Sequence, residues 1–185
     1  VVRSAMTSLW SGELVRLRAV EPEDWAAFAA FDRDTADQRA TDRVFPPRSE
    51  AGYRAWAQEQ STDSDAFRLV IEAIAGSTFV GSINTFDARP LDGCFSYGLG
   101  VLRRYRRKGY AREAITLLLG YMFGERRYQK CDVGVYAFNE DSLALHHKLG
   151  FAEEGRLRRQ VFTGGTHHDL VRFGMTTEEF TALMP

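Results

Sequence analysis

Arg103-Arg104-Tyr105-Arg106-Arg107-Lys108-Gly109-Tyr110-Ala111-Arg112-Glu113-Ala114 sets six cationic side chains around one glycine and runs directly into a helical pattern. Upstream, the apolar stretch from Cys94 to Leu102 reads as a strand. Downstream, Ile115-Thr116-Leu117-Leu118-Leu119 with Tyr121, Met122 and Phe123 reads as a buried helix, so Gly109 falls at a strand-to-helix junction. The first turn of a helix leaves backbone N–H groups unpaired and carries the positive end of the helix dipole. Gly109 removes the Cβ that would hold a ligand off the backbone, and Arg106, Arg107 and Lys108 add net charge beside it. A basic run alone is a solvated turn. The coincidence of glycine, helix start and charge reads as a phosphate cradle.

Further along, a strand over Asp132-Val133-Gly134-Val135-Tyr136 leads into Asn139-Glu140-Asp141-Ser142 and then Lys148-Leu149-Gly150-Phe151. Arg106-Arg107-Lys108-Gly109-Tyr110-Ala111 matches the Arg/Gln-x-x-Gly-x-Gly/Ala signature of the GNAT N-acyltransferases, and the downstream segments resemble that family's fifth strand, following helix and Lys-Leu-Gly-Phe ending. The tail, Gly155 through Arg159 and then Gly164-Gly165-Thr166-His167-His168-Asp169, resembles the closing hairpin of the Rim-type N-terminal protein acetyltransferases. The resemblance spans about Leu14 to Met175. It implies acetyl-CoA as co-substrate, with its pyrophosphate on the Arg106–Ala111 loop, Tyr110 included.

A chain of 185 residues, 44% of them hydrophobic, is long enough to bury a core and is expected to form a single domain over 1–185, with 1–12 a flexible extension. The formal charge of −1 argues against a dedicated nucleic-acid binder, because the basic charge is focused on one segment. Cys94 and Cys131 lie in separate expected strands without metal-ligand spacing and read as reduced core or near-core residues. The opening residues have no apolar run of signal-sequence length, so a cytoplasmic setting is expected.

Period and punctuation set the coarse order. Leu14 to Arg18 forms a first strand, and Glu21-Pro22-Glu23-Asp24 opens a helix to about Asp32. Ser49-Glu50 to Gln60 is a second helix with Tyr53, Trp56 and Ala57 on one stripe; Ala36 to Arg48 and Ser61 to Asp65 read as irregular. Phe67 to Ala73 and Thr78 to Phe86 form a hairpin about Ala75-Gly76-Ser77. The order β-α-α-β-β-β-α-β-α-β-β is an α/β (α+β) arrangement. The resemblance makes it the GNAT fold: a mixed, mostly antiparallel sheet of about seven strands flanked by about four helices, splayed between the fourth and fifth strands.

Gly98-Leu99-Gly100 is not a dinucleotide fingerprint, because Arg103 occupies the third glycine position and no helix starts there. Neither a phosphate-binding Gly-Lys-Ser/Thr loop nor a Gly-x-Ser-x-Gly elbow is present. The histidines form the adjacent pairs His146-His147 and His167-His168, whose side chains diverge on a helix or a strand, so no metal is expected. On the helix after Asn139, the residues Asn139, Ser142, Leu143, His146 and Leu149 share one stripe, while Glu140, Asp141, Ala144 and Lys148 face away. Asn139 suits a helix N-cap. By resemblance it touches the pantetheine arm, Ser142 lies nearby, and His146 holds the place of a tyrosine that protonates the leaving thiolate. Ser142 and His146 are therefore the candidate acids, and backbone N–H groups of Leu99, Gly100 and Val101 would polarise the thioester carbonyl.

Rim-type relatives place a glutamate two residues before the glycine of the fourth strand, where this chain has Ser96, and Cys94 to Val101 contains no carboxylate. Glu72, Asp87 and Asp169 remain as candidate bases, each also readable as a surface or hairpin residue. The expected activity is acetyl-CoA-dependent N-acetylation of a primary amine, foremost a peptide or protein N-terminal α-amine. A small-molecule (antibiotic or polyamine) acetyltransferase and a non-catalytic acyl-CoA-binding module are the alternatives. Expected partners are acetyl-CoA and the amine, with a homodimer allowed and neither membrane nor nucleic acid expected.

Overall fold

The computed structural model describes residues 8–60 and 62–183. Seven strands form one open sheet in the order β1-β2-β3-β4-β5-β7-β6: β1 (Val15–Ala19), β2 (Arg68–Ala73), β3 (Thr78–Arg89), β4 (Cys94–Val101), β5 (Lys130–Tyr136), β6 (Ala152–Thr163) and β7 (Thr166–Thr176). Every neighbouring pair is antiparallel except β4 with β5. A parallel pair needs a crossover, and helix α4 (Tyr110–Gly124) supplies it. Its fully buried Ile115, Leu118, Leu119 and Met122 pack into one core with Ile71, Ile83, Phe95 and Phe173 from the sheet.

Before the sheet come α1 (Trp25–Arg33), α2 (Thr35–Thr41) and α3 (Glu50–Gln58); α5 (Glu140–Lys148) follows β5, and α6 (Thr177–Leu183) follows β7. The described residues thus hold six α-helices rather than about four. The stretch from Ala36 to Arg48, expected to be irregular, contains most of α2. That helix buries Asp37 and Gln38 instead of an apolar stripe, so hydrophobic periodicity could not reveal it. Its start is set by Asp34, whose carboxylate accepts from the N–H groups of Ala36 and Asp37.

Of the extension expected over 1–12, residues 1–7 lie outside the described residues. Trp10 is not loose: its ring sits 4.5 Å from that of Tyr121, and its carbonyl accepts from Leu17 N at 2.7 Å. Glu113, in the first turn of α4, accepts from the N–H groups of Glu13, Leu14 and Val15 and so fastens the entry of β1 onto the cradle helix.

Glu72 corrects its reading as a surface or hairpin residue. It lies on β2 with 4% of its surface exposed, accepting from Arg16 Nε and Arg18 Nε at 2.6 Å each. Burial alone would raise its carboxyl pKa, but the Arg18 and Arg16 hydrogen bonds outweigh that and hold it below the ordinary carboxylate value. A carboxylate so neutralised is a structural clamp across β1 and β2, not a proton acceptor for catalysis. Removing one partner of an enclosed pair costs about 3–5 kcal/mol. Arg16 is half exposed, which discounts this. Glu72→Ala is expected to lower the unfolding free energy by about 2–3 kcal/mol in urea titration, with the folded baseline of α4 unchanged.

Candidate active site

The parallel join between β4 and β5 consists of two rungs, Cys94 with Lys130 and Phe95 with Cys131. Beyond them the strands part. The divergence begins at Ser96 and Asp132, where the Ser96 hydroxyl donates to Asp132 Oδ1 at 3.1 Å. Arg172 of β7 also donates to Asp132 Oδ1, and Arg89 Nη2 reaches Oδ2 at 3.0 Å. Asp132 is thus a pin at the apex of the fork, drawing β3, β4, β5 and β7 onto one carboxylate.

Above the pin, β4 keeps β3 on one side and has an open edge on the other. Leu102 N donates to Val80 O. Because backbone groups alternate along a strand, Tyr97, Leu99 and Val101 turn their N–H and C=O groups toward the gap, whereas Gly100 pairs with Ser82 of β3. Of the three residues expected to polarise a carbonyl, Leu99 and Val101 have the orientation for it. Gly100 has another reason to be glycine: a Cβ there would meet the Phe31 ring at 2.8 Å, so α1 could not close on β4.

At the rim, Gly109 adopts φ +86° and caps α4 without a side-chain hydrogen bond, leaving first-turn N–H groups open. Arg107 is also left-handed, at φ +61°. Turns of this kind converge successive N–H groups into an anion-binding concavity. Arg107 and Lys108 project outward, and Tyr110 and Ala111 pack on the core. Arg106 does not point into the cradle as expected. Its Nε donates to Val101 O at 2.9 Å and its Nη2 to Asp37 Oδ1 at 2.8 Å; Arg103 shares the same carboxylate.

On the other arm, Asn139 caps α5 by accepting from Ser142 N, while its amide donates to Ala40 O of α2. Helix α2 is therefore tied to both arms of the fork, through Asp37 to the cradle loop and through Ala40 to α5. Asp37 escaped sequence reasoning because an isolated carboxylate in an irregular-looking stretch gives no periodic signal.

His146 is buried inside the fork, with 5% of its surface exposed. Its Nδ1 lies 2.7 Å from the Ser142 carbonyl and Nε2 lies 2.8 Å from Tyr97 Oη. A carbonyl only accepts, so Nδ1 carries the hydrogen and Nε2 accepts from the tyrosine hydroxyl. Burial lowers the His146 pKa below its ordinary value; the Ser142 carbonyl bond opposes that, and His147 adds to it. Burial likewise raises Tyr97 well above its ordinary value. This neutral pair joins β4 to α5 beneath the gap. Ser142 Oγ, partly exposed, lies 3.5 Å from His146 Nδ1. The other candidate bases lie elsewhere: Asp87 is exposed within the register shift between Phe86 and Arg89 of β3, and Asp169 holds the N–H of Arg159 on β6. Among the described residues no cluster of three His, Cys, Asp or Glu side chains could hold a metal, and no helix is long and apolar enough to cross a membrane.

The family model for the acetyltransferase (GNAT) domain matches residues 15–152. The chain belongs to the GNAT acetyltransferase family. This GNAT chain is 43% identical over 171 residues to the SPbeta prophage-derived uncharacterized N-acetyltransferase YokL of Bacillus subtilis (strain 168), covering 92% of the chain and 94% of that relative. A shorter likeness, 30% over 83 residues and 45% of each chain, links it to a putative ribosomal N-acetyltransferase, YdaF, of the same organism. The fold superposes on the spermidine N-acetyltransferase of Vibrio cholerae, solved with CoA and spermine, with a TM-score of 0.80 over 90% of this chain and 98% of that one, at 20% identity. The GNAT chain is an N-acetyltransferase with the seven-stranded fold of that family.

The depressed His146 pKa fixes the sign of a pH effect. The unfolded histidine takes a proton near 6.5 while the folded one resists it, so stability is intact above about pH 6.5 and falls as pH drops toward the folded value. His146→Gln, which keeps a polar partner for Tyr97, should lose this limb. Thermal unfolding from pH 7.5 to 5 is expected to show a steeper decline for the wild type than for His146→Gln; parallel curves would contradict a buried imidazole held neutral.

Proposed function

We propose that the chain transfers an acetyl group from acetyl-CoA to a primary amine by direct attack within a ternary complex. The observation that carries this reading is the two-rung join of β4 and β5, beyond which the N–H groups of Leu99 and Val101 turn away from β3 beside Asn139, with the Gly109 loop at the rim. The pyrophosphate would lie against the N–H groups following Gly109, with Arg107 and Lys108 over it, and the pantetheine arm would run along the open edge of β4 past Asn139. The neutral amine nitrogen forms its bond to the thioester carbon, the Leu99 and Val101 N–H groups stabilise the developing oxyanion, and the carbon–sulfur bond breaks as the nitrogen gives one proton to solvent and the thiolate takes one from its donor, which solvent recharges. Ser142, partly exposed on α5, is the nearer donor to the departing thiolate; His146 acts through its position beneath it. No covalent enzyme intermediate is required.

The acceptor is foremost a peptide or protein N-terminal α-amine. The support is that β4 carries no carboxylate and that Asp132, Asp37 and Glu72 are each engaged by two arginines. At pH 7 an α-amine with pKa near 7.7–8.0 is roughly 10–15% neutral, against about 0.04% for a lysine side chain near 10.4. A fourth strand without a carboxylate suits the former. The likeness to a putative ribosomal N-acetyltransferase agrees with a Rim-type acceptor. The second reading is a small polyamine, favoured by the spermidine N-acetyltransferases among relatives and solved structures.

Two measurements test these assignments. In calorimetry with acetyl-CoA, Gly109→Asp is expected to abolish detectable binding by placing a negative charge in the cradle. Gly109→Asn, which tolerates a left-handed backbone, should bind more weakly than wild type but better than Gly109→Asp. Wild-type affinity in Gly109→Asp would remove the pyrophosphate from this loop. In competition, a peptide with a free N-terminus is expected to be acetylated faster than the same peptide blocked there but bearing lysine; the reverse order would require a strong base elsewhere.

A further inference from the structure

Two surface hollows meet at the exposed ring of Phe138, just beyond β5. The first, about 380 Å³, lies between α2 and the start of α5, with Asn139, Glu140 and Asp141 on its wall. The second, about 330 Å³, lies between α2 and the β6–β7 turn, with Arg39, Thr166 and His168 on its wall and no carboxylate. Phe138 is the wall they share. Its ring is 4.6 Å from that of His168 and 5.4 Å from that of Tyr136, which makes the midpoint an aromatic shelf.

The charges at the two ends are available. Arg39 is exposed and has no ion-pair partner among the described residues, and neither does Glu140. Asp141 approaches Arg107 only at 3.6 Å, with both side chains more than three-quarters exposed. The groove is therefore bipolar: acidic where it adjoins Asn139 and the fork, apolar in the middle, and basic where Arg39 of α2 faces the hairpin.

We infer that this groove is the acceptor channel and that it selects amines carrying an anionic group beyond an apolar segment. Such an acceptor would lay its ammonium end beside Glu140 and Asp141 near the fork, its apolar body on Phe138, and its anionic end against Arg39 and His168. A peptide N-terminus followed by acidic residues has this pattern. A polyamine does not, since its distal ammonium would lie against Arg39. This rests on the proposed N-acetyl transfer for its biological use, but the selectivity itself is a binding property that needs no turnover.

The test is equilibrium binding to the full chain saturated with CoA, using two peptides that share their N-terminal apolar residues and differ downstream in aspartates or lysines, with spermidine as a third ligand. An exposed charge pair changes affinity by up to about fivefold. The aspartate peptide is expected to bind about fivefold more tightly than the lysine peptide, and Arg39→Glu to abolish or reverse that preference, with Arg39→Gln intermediate. Equal affinities, tighter binding of spermidine or the lysine peptide, no binding of any of the three, or an unchanged preference in Arg39→Glu would each overturn the inference. Loss of CoA binding would instead strike the proposed activity, which the same titration reads separately.

Discussion

The two halves of the sheet are joined by two parallel rungs and one carboxylate. Asp132 accepts from Ser96, Arg89 and Arg172, so the strand that leaves the sheet at the fork is held by the same group that marks where pairing stops. Parallel strands normally stay paired along their length because an open edge in a central strand leaves backbone groups unpartnered. Here that cost is accepted on one edge of β4. An open edge in the middle of a sheet, walled by two helices, is what a ligand with its own amide groups can complete.

The arms above the fork are positioned by polar contacts in addition to the apolar packing of Tyr110, Ala111, Leu143 and Leu145. Asp37, buried on α2, gathers Arg103 and Arg106, and Asn139 reaches across to Ala40. Two residues expected to meet the cofactor, Arg106 and Asn139, thus already hold α2 in place. The neutral Tyr97–His146 pair performs a similar service below the gap. Groups that are satisfied in this way keep their geometry, which suits a site where orientation does much of the work.

Much of the fold was legible because β1 and β5 alternate, β2 is a short apolar run, α4 is apolar, and Gly109 punctuates the junction before it. The Arg106–Ala111 loop, Asn139 and the position of His146 could be picked out for the same reason, since each lies at a fixed offset from a periodic element. What stayed hidden was polar and long-range. Helix α2 buries Asp37 and Gln38, so it has no hydrophobic stripe to read. Glu72 lies on a strand as an apparent surface acid, and only the pairing of β1 with β2 brings Arg16 and Arg18 to it. Asp132 gains its meaning from Arg172, 40 positions away. Such pairings depend on strand order, and a single sequence does not encode them locally.

The central claim is that the open fork is a working transfer site and not only a cofactor pocket. It is tested most directly by following thiol release when the purified chain is mixed with acetyl-CoA, with and without a peptide bearing a free N-terminus, across a set of amines. The account predicts negligible release without an amine and a stoichiometric acetylated product with the α-amine peptide. Tight binding of acetyl-CoA with no thiol released in the presence of any amine would contradict it.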